Sequence, residues 1–144
     1  MGMRKPEQKL WDRLSNLMAS SWRADRIENK ISQGIPDLYF GISTQLLGWI
    51  ELKAMPEFPK TATTKVKLPH YTAWQANWHW TRRDFGTRSW IMVQVGDELF
   101  TFPARLALAL LEGMNTKEFR SAAVIKDMKK ATNLDIIDAL LQAR

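Results

Sequence analysis

Three ionisable side chains in the first half of the chain have types and spacing suited to metal-assisted hydrolysis: Asp37, Glu51 and Lys53. Residues 37–42 and 46–53 have the apolar and aromatic composition of two strands separated by a short loop. If these strands pair antiparallel about the middle of that loop, the numbers of opposed residues sum to 88, so Asp37 faces Glu51. Glu51 and Lys53 alternate onto one face of their strand. We therefore expect two carboxylates and one ammonium to meet in a pocket open to solvent.

The chemistry of this group follows from its charges. Two adjacent carboxylates repel each other unless one is protonated or a cation lies between them. Oxygen ligands favour the hard ions Mg²⁺ or Mn²⁺, which acidify a bound water and polarise a phosphoryl oxygen. Lys53 would orient the attacking water or stabilise the developing charge. A purely structural interpretation stays open, in which Asp37 belongs to a Pro-Asp turn and Glu51 and Lys53 lie on a solvated strand.

Composition limits the class of protein. The chain has 144 residues, which corresponds to one domain, and its 45% hydrophobic and 25% charged content is typical of a globular protein. The absence of cysteine excludes a disulfide framework, a thiolate nucleophile and cysteine-ligated zinc. No apolar run reaches the length of a membrane span, and the N-terminus has no apolar signal region. We expect a soluble intracellular domain with no membrane partner, located in the cytoplasm.

The balance of charge favours a polyanionic partner. The formal net charge is +6, and residues 52–90 hold seven basic and two acidic side chains. Phosphate neutralisation by such a segment releases counterions and favours binding of nucleic acid. A solvated basic surface is an equally good interpretation of charge alone.

The hydrophobic pattern predicts alternating helices and strands in a sheet covered by helices. Helices are predicted over 6–22, 71–85, 104–112, 116–130 and 134–143, and strands over 37–42, 46–53, 89–95 and 98–102. A turn is expected at 33–36 and an edge strand within 23–33. Residues 55–69 contain three prolines and are predicted to form an exposed, mobile loop.

The order of these elements and the motif residues resemble a known family. The run that carries the resemblance comprises Arg26-Ile-Glu-Asn29, Gln33-Gly34-Ile35-Pro36-Asp37-Leu-Tyr-Phe, Gly48-Trp-Ile-Glu51-Leu-Lys53 and Gln75. It resembles the PD-(D/E)XK nuclease superfamily and is most similar to small phage-type nucleases and virus-type replication-repair nuclease domains related to archaeal Holliday-junction resolvases. The match covers about residues 5–102. It implies an α/β fold with a restriction-endonuclease-like αβββαβ core, a mixed central sheet flanked by helices, followed by extra C-terminal helices over about 103–144 within a single nuclease domain of residues 1–144.

The resemblance also implies roles for matching residues. Asp37 and Glu51 would be metal ligands with the Leu52 carbonyl, and Lys53 would be the catalytic lysine. Glu7 is the best match for an acidic residue on the first helix that joins the metal, with Asp12 second. Gln75 matches a glutamine on the helix after the lysine strand, although the intervening segment is long. Metal-dependent cleavage of DNA is implied, and a homodimer is expected because many enzymes of this fold cut two strands.

Other basic and aromatic side chains are weaker candidates for the site. Candidate nucleic-acid contacts, each equally explained by solvation, are Arg26, Lys60, Lys65, Lys67, Arg82 and Arg83. Trp74, Trp78 and Phe85 are expected to pack in the core, Trp80 to be available for stacking, and His70 and His79 to lie at the surface. The leading hypothesis is a Mg²⁺- or Mn²⁺-dependent DNA endonuclease, and the resemblance adds the expectation of specificity for junctions or flaps in phage replication, repair or recombination. The alternative is a non-catalytic nucleic-acid-binding module that retains the fold.

Overall fold

The computed structural model describes residues 5–17, 22–27, 34–42, 46–128 and 140. Its helices are α1 (Lys5–Leu17), α2 (Ala73–Arg82), α3 (Ala107–Glu112) and α4 (Thr116–Ala122), with 3-10 turns at Arg83–Phe85 and Ala104–Leu106. Its strands are β1 (Trp22–Arg26), β2 (Leu38–Ile42), β3 (Leu46–Met55), β4 (Ser89–Val95), β5 (Glu98–Pro103) and β6 (Ile125–Met128). The first six elements therefore follow the predicted αβββαβ order.

These strands form one mixed sheet whose spatial order is the same as the chain order. Strands β3 and β4 are parallel, whereas every other neighbouring pair is antiparallel. The parallel pair requires a crossover, which the segment 56–72 and helix α2 provide. A mixed sheet with flanking helices is the fold class that the sequence predicts.

Helices cover the central strands, and this explains why those strands are apolar on both faces. Leu10 and Leu14 are the buried residues of α1, which packs on β3. The main hydrophobic cluster joins β4 and β5 to α3 and α4, and the ring of Phe119 lies 5.2 Å from Phe100 and 4.7 Å from Phe102, centroid to centroid. Strand β3 thus has little contact with solvent along its second half.

The structure corrects two predicted elements after residue 54. The exposed loop is exposed over 60–65, but Val66 and Leu68 are buried, and Val66 forms a β-bridge with Met114 that anchors the segment. The predicted helix 116–130 ends at Ala122 and is followed by β6, because the edge of β5 accepts a sixth strand. The C-terminal extension is therefore not entirely helical. The predicted helix 134–143 lies outside the described residues except for Leu140, which is helical and buried.

Helix α2 turns a different face to the core than the apolar spacing predicts. Ala76 and His79 are its buried residues, whereas Trp74 is 63% exposed and Phe85, just beyond the helix, is 86% exposed. Gly86 ends this segment in the left-handed conformation, as predicted. Within the residues described, no helix is long and apolar enough to cross a membrane.

Candidate functional site

Asp37 and Glu51 lie side by side at the open end of the β2–β3 hairpin. The register pairs Phe40 with Gly48 and Leu38 with Ile50, which is the pairing predicted from the sequence. One step further, Asp37 Oδ2 accepts a hydrogen bond from the backbone N–H of Leu52 at 2.8 Å. The hairpin register therefore fixes the Asp37 carboxylate against the strand that carries Glu51.

Lys53 completes the group. Its Nζ lies 3.6 Å from Glu51 Oε2 and donates a hydrogen bond of 3.2 Å to the backbone carbonyl of His70. His70 is the non-glycine residue with a positive φ, 61°, among those described. The turn before α2 thus directs a carbonyl at the lysine, and three of the predicted site residues converge as expected.

The predicted opening to solvent is wrong for two of these three side chains. Glu51 is 1% exposed and Lys53 is 3% exposed, while Asp37 is half-buried. The segment before α2 lies against them: the His70 carbonyl accepts a hydrogen bond from Lys53, and the hydroxyl of the next residue, Tyr71, donates a hydrogen bond of 2.8 Å to the Ala107 carbonyl of α3. Only Asp37 reaches the surface.

Burial controls the protonation of Glu51. Loss of hydration raises the pKa of this carboxyl well above its usual value, the neighbouring Asp37 raises it further, and Lys53 opposes the shift. Glu7 adds a smaller rise in the same direction. Both oxygens of Glu51 are buried without a hydrogen-bond partner among the described residues. The ion pair with Lys53 therefore compensates this carboxylate only in part.

The orphaned oxygens of Glu51 fit a cation. Asp37 is adjacent, and because the N–H and C=O of one strand residue point to the same edge, the Leu52 carbonyl is directed to the Asp37 side. Among the described residues no group of three or more histidine or carboxylate side chains is assembled closely enough to hold a metal. The half-buried Glu7, in the first turn of α1, therefore affects Glu51 through its charge rather than as an assembled ligand. Asp12 is exposed and accepts a hydrogen bond from Gln8.

Gln75 has a structural contact in this conformation. Its side-chain carbonyl accepts a hydrogen bond from the Thr72 N–H at 3.0 Å, and Thr72 Oγ1 accepts from the Gln75 N–H, which forms a capping box at the start of α2. Gly34, three residues before Asp37, packs against the backbone of Trp74 and Gln75. The capped end of α2 is thus next to the loop that carries Asp37, and the catalytic role of Gln75 stays a prediction.

The predicted nucleic-acid contacts differ in their surroundings. Lys60 and Lys65 are exposed, but Lys67 donates to the backbone carbonyls of Leu111 and Glu112 at the end of α3, so it does not belong to a free flap. Arg26 is half-buried and donates to Gln8 Oε1 at 3.4 Å, which ties β1 to α1.

Two arginines after the middle of α2 stack on aromatic rings. The guanidinium carbon of Arg82 lies 4.7 Å from the Trp78 ring centroid, and that of Arg83 lies 3.8 Å from the Trp80 ring centroid. Trp80 is half-buried, and its ring is already covered on one side by Arg83. One face of the Trp80 ring, which was predicted to be available for stacking, is therefore occupied by the Arg83 guanidinium.

His79 is a buried polar residue that the sequence analysis missed. It is fully buried, contrary to the expected surface position, and its Nδ1 lies 2.8 Å from Ser89 Oγ. Burial, together with a smaller effect of the positive charge of Lys53, lowers the pKa of His79 to about 3, so the ring is neutral. The sequence signal for its burial is the spacing of three residues between His79 and Ala76, which places both side chains on the same, buried face of α2.

Comparisons with known proteins find limited similarity. No protein-family model and no curated protein matches the chain. Among solved structures, the chain is similar to Hjc, a Holliday junction resolvase from Archaeoglobus fulgidus, with 18% sequence identity. That match covers 79% of this chain and 96% of the resolvase chain, with a TM-score of 0.48.

Proposed function

We propose that this chain is a divalent-metal-dependent DNA endonuclease in which Asp37, Glu51 and Lys53 form the catalytic centre. The observation that carries the proposal is the convergence of these groups, with Lys53 Nζ 3.6 Å from Glu51 and Asp37 bonded to the next residue of the same strand. Perturbed, desolvated carboxyl groups beside a fixed cation are typical of functional sites.

Asp37, Glu51 and the Leu52 carbonyl would hold Mg²⁺ or Mn²⁺, with Glu7 reached by a small movement of α1. The bound ion would acidify a water and polarise a phosphoryl oxygen. Glu51 has two unpartnered buried oxygens, and a cation would favour its ionised form in place of the hydration it has lost. The chain's own contribution is to hold Asp37 in place through the Leu52 N–H.

Lys53 would stabilise negative charge on the phosphate. Its ammonium is held by Glu51 on one side and by the His70 carbonyl on the other, so its position is fixed before substrate arrives. Because Lys53 is buried in this conformation, a phosphate approaches it only after the turn at His70 moves aside. We therefore propose that substrate binding displaces this turn.

DNA is the proposed substrate because the chain is basic and presents cations around the site. Lys60, Lys65, Arg82 and Arg83 are exposed, and the net charge is +6. The resemblance adds finer proposals: a preference for junctions or flaps, a homodimer, a role in phage replication, repair or recombination in the host cytoplasm, and a single nuclease domain with its core at about 5–102.

Cleavage of a panel of DNA structures tests the proposal. Four-way junction, flap, nicked, single-stranded and duplex DNA are incubated with the purified chain in Mg²⁺, in Mn²⁺ and with chelator. We expect cleavage of at least one structure with either ion and none with chelator. Absence of cleavage from every structure in both ions would contradict the proposal.

The burial of Glu51 and Lys53 is the one observation that favours the alternative, a nucleic-acid-binding module without catalysis. Metal binding discriminates the two. A nuclease is expected to give a heat of binding or a thermal shift with Mn²⁺ that Glu51→Ala removes and Glu112→Ala, on the exposed end of α3, retains. A binding module gives neither signal.

A further inference from the structure

A cleft lies where the chain passes from the end of α2 into β4. Its volume is about 310 Å³, at the lower limit for ligand pockets, and Arg83 and Arg88 contribute the two charged side chains to its walls. Among the described residues, none of those that line it is acidic. The remaining walls come from Gly86, Thr87, the start of β4 and Ala104.

The charge of the cleft is positive and available. The guanidinium of Arg88 has no ion-pair partner among the residues that the structure describes. Arg83 stacks on the Trp80 ring, and its ion-pair partner among those residues is the exposed Asp84, at 3.7 Å within its own turn. The carbonyls at the end of α2 add little opposing charge, because those of Arg82 and Arg83 accept hydrogen bonds from the N–H groups of Thr87 and Gly86. Two forked cation donors without a carboxylate in the wall suit a phosphate.

The cleft is tied to the strand that carries the catalytic group. The N–H of Trp49 donates to the Arg88 carbonyl at 3.1 Å, and Ser89 is paired with Trp49 in the parallel register. Glu51 follows Trp49 by two residues, which is about 7 Å along a strand. The wall of the cleft is therefore separated from Glu51 by one backbone hydrogen bond and two residues of strand β3.

We infer that this cleft binds a backbone phosphate of DNA beside the one that is cleaved, with Arg83 and Arg88 as its donors. The inference rests on the proposed function for the identity of the nucleic acid. It assigns the two arginines to one defined subsite rather than to a diffuse basic surface. Gly86, where an added Cβ would meet nothing within 4 Å, keeps the mouth of the cleft open.

The salt dependence of DNA binding tests this subsite without relying on catalysis. Binding of a labelled four-way junction is measured by fluorescence anisotropy in chelator over a range of salt, for the wild type, Arg83→Gln/Arg88→Gln, Arg83→Lys/Arg88→Lys and the control Lys117→Gln on α4. Removing one cation that neutralises a phosphate reduces the slope of log Kobs against log salt by about 0.9. We expect the glutamine pair to reduce the slope by about 2, and the lysine pair and Lys117→Gln to leave it unchanged.

Two outcomes would overturn the inference. One is a glutamine pair that keeps the wild-type slope while retaining the wild-type circular dichroism spectrum. The other is a nucleoside 5′-monophosphate that binds in an arginine-dependent manner while the slope for DNA stays unchanged. Failure of the proposed function would give a different result. If the chain cuts no DNA but the glutamine pair still reduces the slope, the phosphate subsite is retained and only the proposed nuclease activity is contradicted.

Discussion

Glu51 is the residue at which the requirements of folding and of function oppose each other. Glu51 is a buried carboxylate that has no hydrogen-bond donor among the described residues, and the Lys53 ammonium at 3.6 Å replaces only part of its lost hydration, so its charge destabilises the folded chain. Nothing in the packing of β3 requires a charge there, and an uncharged residue of the same shape would suit the fold better. The proposed function attributes this charge to a divalent cation that would bind to it.

We predict that Glu51→Gln stabilises the protein at neutral pH. A buried carboxylate without a hydrogen-bond donor costs about 1 kcal/mol or more, and we expect this cost to exceed the ion pair with Lys53 that the variant loses, so the melting temperature should rise by about 2–4 °C. Because the folded-state pKa is raised, the folded chain binds the proton more tightly, and wild-type stability falls as pH rises above the unfolded pKa. The gain should therefore vanish near pH 4, where both states are protonated.

Thermal unfolding at pH 4 and pH 7 measures this prediction, with Glu112→Gln as the exposed control. Because Glu112 is a surface residue, we expect Glu112→Gln to change the melting temperature by less than about 1 °C at either pH. Equal or lower stability of Glu51→Gln at pH 7 would mean that the carboxylate is compensated by its surroundings.

Sequence arithmetic predicts the pairing of site residues better than their burial. The sum of 88 predicts the register because a hairpin with a defined loop has one alignment that keeps Leu38 and Phe40 in the core. Exposure of Glu51 and Lys53 depends on the distant segment around Tyr71, whose contact with Ala107 has no local signal in the sequence. The same long-range packing determines the burial of His79.

At the scale of elements, the close approach of the Gly34 turn to helix α2 positions Asp37. Gly34 has φ 90°, and a Cβ at this position would lie 2.8 Å from the Trp74 carbonyl carbon. The turn and the capped end of α2 are therefore in direct backbone contact, and Asp37 follows three residues later. A side chain at residue 34 would separate the two elements.

We predict that Gly34→Ala destabilises the chain by about 2 kcal/mol or more. This loss is the sum of the cost of a left-handed backbone at a residue with a Cβ and the cost of the steric clash with Trp74. Gly86→Ala is the matched control, since Gly86 has φ 76° but open space around an added Cβ. The control should cost only about 1 kcal/mol. Urea unfolding of both variants measures the difference, and equal losses would show that the clash is relieved without cost.

The contact between α2 and β4 depends on a neutral histidine. His79 Nδ1 pairs with Ser89 Oγ inside the protein, and protonation of the ring would bury a charge near Lys53. With the folded pKa lowered to about 3, the unfolded chain binds more protons below the ordinary value of 6.5. Stability is therefore complete above about pH 6.5 and is lost as the pH falls towards 3.

We predict that His79→Asn removes part of this pH dependence, since asparagine keeps a polar atom for Ser89 but does not titrate. Between pH 7 and pH 5, the wild type should lose about 2 kcal/mol more than the variant. His70→Asn, at the exposed histidine with positive φ, should follow the wild type. Identical pH profiles for the wild type and His79→Asn in urea unfolding would contradict a neutral, buried His79.

The type of an element was predictable where one hydrophobic pattern dominated its sequence. The prediction was wrong where a helical and a strand pattern competed. The strand at 89–95 and the hairpin to β5 follow from continuous apolar runs around Gly96-Asp97. Residues after Ala122 have helical spacing as well, but the free edge of β5 is available to them and they pair with it. In α2, the spacing of the tryptophans predicted which face of the helix is buried. The structure instead buries the face that carries Ala76 and His79 and leaves Trp74 exposed.

At the scale of the whole molecule, an enclosed ionisable group lies within a chain that carries an excess of cations. The net charge of +6 attracts a polyanion, and the exposed lysines and arginines lie on the segments that flank the catalytic strand. The proposed function therefore predicts that DNA binding and catalysis are separable: the surface cations would determine binding, and the enclosed group would determine cleavage.

Single-turnover cleavage of the preferred DNA structure by Asp37→Ala and Lys53→Ala, beside Asp97→Ala and Lys117→Ala as exposed controls, tests the central claim most directly. Loss of an electrostatic group that stabilises the transition state should lower the rate by at least about 100-fold in each site variant. Binding measured in chelator should stay within a few-fold of the wild type, and the controls should cleave normally. Cleavage at the wild-type rate by either Asp37→Ala or Lys53→Ala would contradict the claim that these groups form the catalytic centre.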